Sequence, residues 1–171
     1  MSVDGAQTSI DAFDWMTWQP GVRATLMLIR NEDNLLLIDK LTGLGKGKVN
    51  APGGKIEQGE SPVECAIRET FEEVGLQVHD AREVAHLRFL MSDYPDIECF
   101  AFSALSYSGS ASSSQEARPF WCPIAEIPYN KMWADDVLWL PKVLEGRFVR
   151  GDFRFEGDRL DSYLLHEERC L

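Results

Sequence analysis

Apolar and polar positions divide the chain into short strands around one dominant helix. Arg23 to Arg30 is rich in Leu, Ile and Thr, and Leu35 to Asp39 follows after the polar cluster Asn31-Glu32-Asp33-Asn34. That pattern predicts two strands joined by a turn. Residues 42–54 contain Gly43, Gly45, Gly47, Gly53 and Gly54 and predict a loop. Further strands are predicted near 82–91 and 96–105, with a serine-rich loop at 106–114 and a short strand at Phe120 to Ile124. Asp135 to Leu144 reads as a helical turn restarted by Pro141, and 147–165, with Phe148, Phe153, Phe155, Tyr163 and Leu164, as a terminal hairpin. Residues 1–20 form a lead-in whose Trp15 and Trp18 are expected to pack onto the domain; a disordered tail is the alternative. Residues 21–171 are expected to form one domain of mixed strands and helices, α/β or α+β.

The strongest element is the helix from Ser61 to Val74. Ser61-Pro62-Val63-Glu64 is a capping box with proline at the first helical position, and Gly75 is a natural stop. At ~100° per residue, Val63, Ile67, Thr70, Phe71 and Val74 form an apolar face. Glu69, Glu72 and Glu73 cluster on the other side, with Arg68 four residues from Glu72. Adjacent carboxylates repel, and a hard divalent cation with a preference for oxygen removes that cost. A bare Glu-x-x-Glu-Glu, however, is more often a solvated acidic face.

Composition narrows the partners. The 171-residue chain holds 17 Lys plus Arg against 28 Asp plus Glu, a formal net charge of −11. Such a chain is ill suited to gripping a nucleic-acid backbone, so a small nucleotide is the expected partner. Cys65, Cys99, Cys122 and Cys170 lack zinc-site spacing and read as free thiols. No apolar run approaches the ~20 residues of a membrane helix. The start of the chain lacks the basic and apolar regions of a secretory signal. A cytoplasmic monomer that binds neither nucleic acid nor membrane is expected.

The full spacing lifts the acidic helix above the bland reading. Gly54, five residues, Glu60, seven residues, Arg68-Glu69-Thr70, one residue, Glu72-Glu73, one residue, Gly75-Leu76 resembles the Nudix box. Thr70, in a usually aliphatic slot, is the one departure. The resemblance implies an α/β/α sandwich with a mixed β-sheet and a loop–helix–loop catalytic motif. It implies Mg²⁺, with Mn²⁺ as a substitute, held by Glu69, Glu72, Glu73 and the backbone carbonyl of Gly53. Arg68 would orient the acidic helix, and water would attack a phosphorus of a nucleoside diphosphate linked to another group.

Beyond the box, Glu116-Ala-Arg-Pro-Phe-Trp121, Ile127-Pro-Tyr-Asn-Lys-Met-Trp133-Ala-Asp135-Asp136 and Asp152-Phe-Arg-Phe-Glu-Gly157 resemble the MutT-like branch of that family, which hydrolyses oxidised purine nucleoside triphosphates. This similarity runs from about Arg23 to the C-terminus. It implies that Trp133 stacks on the purine, that Asn50, Asp135 and Asp136 read the base edge, and that Thr25 and Lys40 sit at the pocket floor and near the nucleotide. Glu116 would be a further metal ligand or the base that activates water, and Phe89 would line the pocket.

Each residue also has a structural reading: Trp133 as core, the Asp pair as helix caps, Asn50 as a turn residue, Lys40 as a surface cation. Taken together beside an intact box, they favour a substrate pocket. Lys46 and Lys48 either attract the triphosphate or solubilise the loop. Leu44, Ala117 and Ala134 depart from the MutT-like pattern, which bears on which altered purine is preferred. The rival functions are a Nudix hydrolase of ADP-ribose or a dinucleoside polyphosphate, and a non-catalytic nucleotide-binding module.

Overall fold

A computed structural model describes residues 10–169. Strands β1 (Val22–Leu28), β2 (Arg30–Asn31), β3 (Asn34–Lys40), β4 (Val49–Asn50) and β5 (Gly53–Lys55) precede helix α1 (Pro62–Val74). Strands β6 (Gln77–Met91), β7 (Ile97–Ser108) and β8 (Ala117–Pro123), helix α2 (Asp136–Leu144) and the hairpin β9 (Arg147–Glu156) and β10 (Arg159–Arg169) complete the fold. One sheet has the order β10-β9-β6-β7-β1-β5; a second joins β2, β3 and β4, with β8 on the free side of β3. The larger sheet is mixed, because β1 runs parallel to β7 and β6 parallel to β9 while the other pairs are antiparallel.

Strict alternation feeds two cores. Leu35 and Leu37 of β3 join a cluster with Trp139, Leu140 and Val143 of α2, while Leu36 and Ile38 join a cluster with Ala66 and Val74 of α1. In β1, Leu28 belongs to the first cluster and Met27 to the second. Successive side chains of a strand point to opposite faces, so a run of consecutive apolar residues needs a helix on each side. The fold is therefore an α/β sandwich with α1 and α2 against opposite cores.

Three sequence expectations change. β7 continues into the serine-rich stretch, where Ser106 and Ser108 pair with Asp80 and Gln77 of β6; the backbone ladder needs no apolar side chain there. The glycine-rich segment contains β4 and β5, and Gly53 pairs with Leu26 of β1. A Cβ at Gly53 would collide with the carbonyl oxygen of Thr25. Pro141 lies inside α2 without interrupting it, since burial of Trp139, Leu140 and Val143 holds this short helix despite the missing donor.

The lead-in crosses the same domain from Ile10, which is buried. The Trp15 ring lies 4.0 Å from the Arg88 guanidinium, and Trp18 Nε1 donates to Asp96 Oδ2 at 2.9 Å.

Candidate active site

Helix α1 begins as its sequence requires. Ser61 accepts from the Glu64 backbone N–H, and the Glu64 carboxylate accepts from Ser61 N–H at 2.8 Å. Gly75 ends the helix at φ 76° in the left-handed region. The apolar face differs at one position: Phe71 is 55% exposed, and Ala66 with Cys65 fills the buried stripe beside Thr70 and Val74. Thr70, the departure from the motif, is fully buried and donates to the Ala66 carbonyl at 2.7 Å, so its hydroxyl costs the core nothing unpaired.

The three glutamates do not share one environment. Glu73 is buried, with Oε1 accepting from Gly53 N–H at 3.0 Å and Oε2 left without a hydrogen-bond donor. Burial pushes its carboxyl up to about 7, against the opposing pull of Lys40, whose Nζ lies 3.8 Å from Oε2. Glu69 is raised by the same cause and lines the cavity. Glu72 is mostly exposed. Arg68 Nη1 donates to Glu69 at 2.9 Å and to Glu72 at 3.1 Å. Among the described residues, no three His, Cys, Asp or Glu side chains are grouped so as to hold a metal ion.

Glu60 is the residue that sequence reasoning left without a role. Arg68 Nε and Nη2 donate to its two oxygens at 2.6 and 3.0 Å, a bidentate pair that pulls its carboxyl down to about 2. Arg68 also donates to the Lys55 carbonyl at 3.2 Å. It therefore fastens the loop before α1 to the acidic face of the helix. The spacing Glu60-x₇-Arg68 carried this signal; pairing at i,i+4 alone pointed only to Glu72.

Beside this face lies a cavity of about 680 Å³ lined by Thr25, Lys40, Asn50, Gly53, Gly54, Glu69, Glu116, Trp133, Asp135 and Asp136. Glu72 is absent from its wall. A Cβ at Gly54 would strike the Glu69 carboxylate, so only glycine leaves that carboxylate its place. Phe89 lines the cavity, as do Leu87, Cys99 and Phe155, which sequence reasoning did not single out; strand alternation from Phe89 reaches Leu87. Leu44 is at its rim. Ala117 packs in the core behind α1 and is not on the wall.

At one end sit Asp135 and Asp136, 3% and 4% exposed. Neither caps α2: Asp135 occupies the cap position but makes no capping hydrogen bond. Its Oδ2 instead accepts from Trp139 Nε1 at 2.9 Å. Asp136 Oδ2 is buried without a donor. Desolvation raises both carboxyls, and the neighbouring Asp135 charge raises Asp136 further. Thr25 Oγ1 approaches Cys65 Sγ at 3.3 Å, and Asn50 Oδ1 accepts from Ala51 N–H at 2.9 Å. Trp133 is half-buried, edge-on to Phe155 with ring centroids 5.6 Å apart. Lys48 is not on the cavity wall; its ammonium lies 4.8 Å from the Trp133 ring centre and 3.3 Å from Asp158.

Among known proteins, the model of the NUDIX domain matches residues 20–143. The oxidized purine nucleoside triphosphate hydrolase of Danio rerio is 37% identical over 149 residues, covering 86% of this chain and 96% of the relative. The protein of the same description from Mus musculus is 36% identical over 145 residues, covering 84% and 93%. The crystal structure of a mutator MutT protein from Bacillus halodurans superposes with a TM-score of 0.74 at 28% identity, covering 84% of this chain and 97% of that one. With the acidic helix intact and the likeness extending over most of its length, the chain belongs to the Nudix hydrolase family.

Proposed function

We propose that the chain is a divalent-metal-dependent pyrophosphohydrolase that cleaves oxidised purine nucleoside triphosphates, such as 8-oxo-dGTP or 2-hydroxy-dATP, to the monophosphate and pyrophosphate, clearing them from the nucleotide pool. The observation that carries this reading is the shared cavity: Glu69 and the buried Asp135–Asp136 pair line the same space. Two relatives described as oxidized purine nucleoside triphosphate hydrolases support the substrate class.

The residues fit a hard divalent ion. The Glu73 oxygen without a donor, its raised carboxyl and an all-oxygen set comprising Glu69, Glu72, Glu73, Glu116 and the Gly53 carbonyl suit Mg²⁺ or Mn²⁺. Such an ion, when bound, offsets phosphate charge and acidifies water. Arg68 orients the acidic face through Glu60 and Lys55. Glu116, if not a metal ligand, takes the proton of the attacking water. Lys40 attracts the phosphates, and Asn50 and Thr25 bound the base. Trp133 stacks on the purine, worth ~1–3 kcal/mol per base. Stacking does not choose among purines; the carboxyl pair does. Asp135, accepting from Trp139, keeps the charge, and Asp136 keeps a proton. One therefore accepts and the other donates, and moving one proton adapts the pair to the altered edge of a damaged base, including the N7–H that 8-oxoguanine has and guanine lacks. In this reading the protein works as a cytoplasmic monomer on free nucleotides.

The test is a substrate panel with saturating Mg²⁺: 8-oxo-dGTP, 2-hydroxy-dATP, dGTP, ADP-ribose and a dinucleoside polyphosphate. The oxidised triphosphates should show the highest kcat/KM, with pyrophosphate released. ADP-ribose far ahead of every triphosphate would place the chain elsewhere in the family, and no turnover of any substrate would make it a binding module.

A further inference from the structure

The lead-in lies before the matched NUDIX region, which starts at residue 20, yet it bonds a turn whose Tyr94 lines the cavity. Its contact is Asp96, in the turn between β6 and β7. The Asp96 side chain accepts from Trp18 Nε1 and from Met91 N–H, each at 2.9 Å. Its carbonyl accepts from the N–H groups of Gly21 and Val22 at 2.9 and 3.0 Å. The chain passes so close here that a Cβ at Gly21 would come within 2.7 Å of Pro95 Cβ. The other end of the turn is fastened to the terminal hairpin, through Ser92 N–H to the Phe155 carbonyl and Gly157 N–H to Ser92 Oγ. Between these anchors stands Tyr94. It lines the cavity with Met91 and Ile97, and Lys55 Nζ lies 5.9 Å from its ring centre.

We infer that Trp18 is a positioning residue for substrate: through Asp96 it holds the 92–96 turn so that Tyr94 lines the nucleotide cavity. The inference rests on the proposed function for its substrate and deepens it, giving Trp18 alone, of the lead-in, a part in binding. An aromatic wall there contacts whatever part of the base or sugar projects from the floor formed by Asp135 and Asp136. Tyr94 is not among the carboxylates proposed to hold the metal, so its position should show in binding more than in bond cleavage.

Trp18→Phe keeps the ring and removes the N–H. With 8-oxo-dGTP as probe, it should raise KM roughly three- to tenfold, as expected for loss of a hydrogen bond to a carboxylate, and leave kcat within about twofold. Tyr94→Ala should raise KM in the same way. The double variant should be no worse than Tyr94→Ala alone, since one residue acts through the other. Phe13→Leu loosens the same lead-in at its far end and should lower Tm without moving KM. Hydrogen exchange across residues 91–97 should quicken in Trp18→Phe, not in Phe13→Leu. A Trp18→Phe protein with lower Tm but unchanged KM, or effects of Trp18 and Tyr94 that simply add, would overturn the inference. If wild type turned over no purine triphosphate, the proposed function would fall, and unchanged exchange at 91–97 in Trp18→Phe would then overturn this inference independently.

Discussion

Two sets of neighbouring carboxylates, one reaching the cavity wall through Glu69 alone and the other through both Asp135 and Asp136, are treated differently by the fold. On α1, Glu69 and Glu72 face Arg68, which donates to both, while Glu73 has Lys40 within 3.8 Å. At the start of α2, Asp135 and Asp136 are nearly as buried as Glu73, but they meet an indole N–H and backbone rather than a cation. The first set is arranged for positive charge and the second for a shared proton. In a low-dielectric pocket, two adjacent anions persist only if a cation or a proton removes one charge. In the proposed function, that difference separates breaking the phosphate bond from reading the base.

The sharpest way to break the comparison is Glu73→Gln. It should lower kcat by roughly 10²–10⁴-fold with Mg²⁺ present, and raise Tm, because it removes a buried, incompletely satisfied carboxylate. Strong residual turnover would contradict its assignment to the metal. Next in size is Asp136→Asn, expected to lower kcat/KM for 8-oxo-dGTP about ten- to hundredfold and for dGTP far less. An unchanged ratio between the two substrates would remove Asp136 from base reading. Arg68→Lys keeps the charge but loses the fork on Glu60; about tenfold lower kcat with a higher Mg²⁺ requirement is expected from kinetics at varied Mg²⁺.

The pH dependence of stability tests the proton in the second set. Both Asp carboxyls are raised in the folded state, so between the ordinary value near 4 and the raised one the folded protein holds more protons than the unfolded chain. Stability must then fall as pH rises through that window. Tm without added metal should decrease from pH 5 to pH 8, and an Asp135→Asn, Asp136→Asn double variant should flatten the slope measurably. The smallest expected effect is Phe71→Gln, on the exposed side of α1: Tm and kcat should stay near wild type, within ~0.5 kcal/mol of stability.

Much of this was legible in the linear order of residues. The cap at Ser61 and the stop at Gly75 follow from local hydrogen bonding, which acts over a few residues, whereas periodicity grouped Glu73 with Glu69 and Glu72 and did not foresee its burial. The same rules misjudged Phe71, because amphipathic spacing marks a face without saying how far the covering sheet extends. They underplayed Glu60, because its partner lies across a loop rather than along the helix. They read residues 106–108 as loop from composition, although strand pairing depends on the neighbouring backbone.

The acidic helix and its adjoining loop were thus legible in the sequence, since a single contiguous motif carries them. The proposed base-reading residues were named only through resemblance, not through local spacing. By spacing alone Asp135 and Asp136 read as helix caps; the structure shows instead that both are buried on the cavity wall and that neither makes a capping hydrogen bond. The same holds for Trp18 and Asp96: a side chain from the lead-in meets one from a distant turn because the tertiary fold closes the chain there. Local spacing specifies a helix and the charges on it; desolvation and contacts between remote segments exist only once the chain has packed.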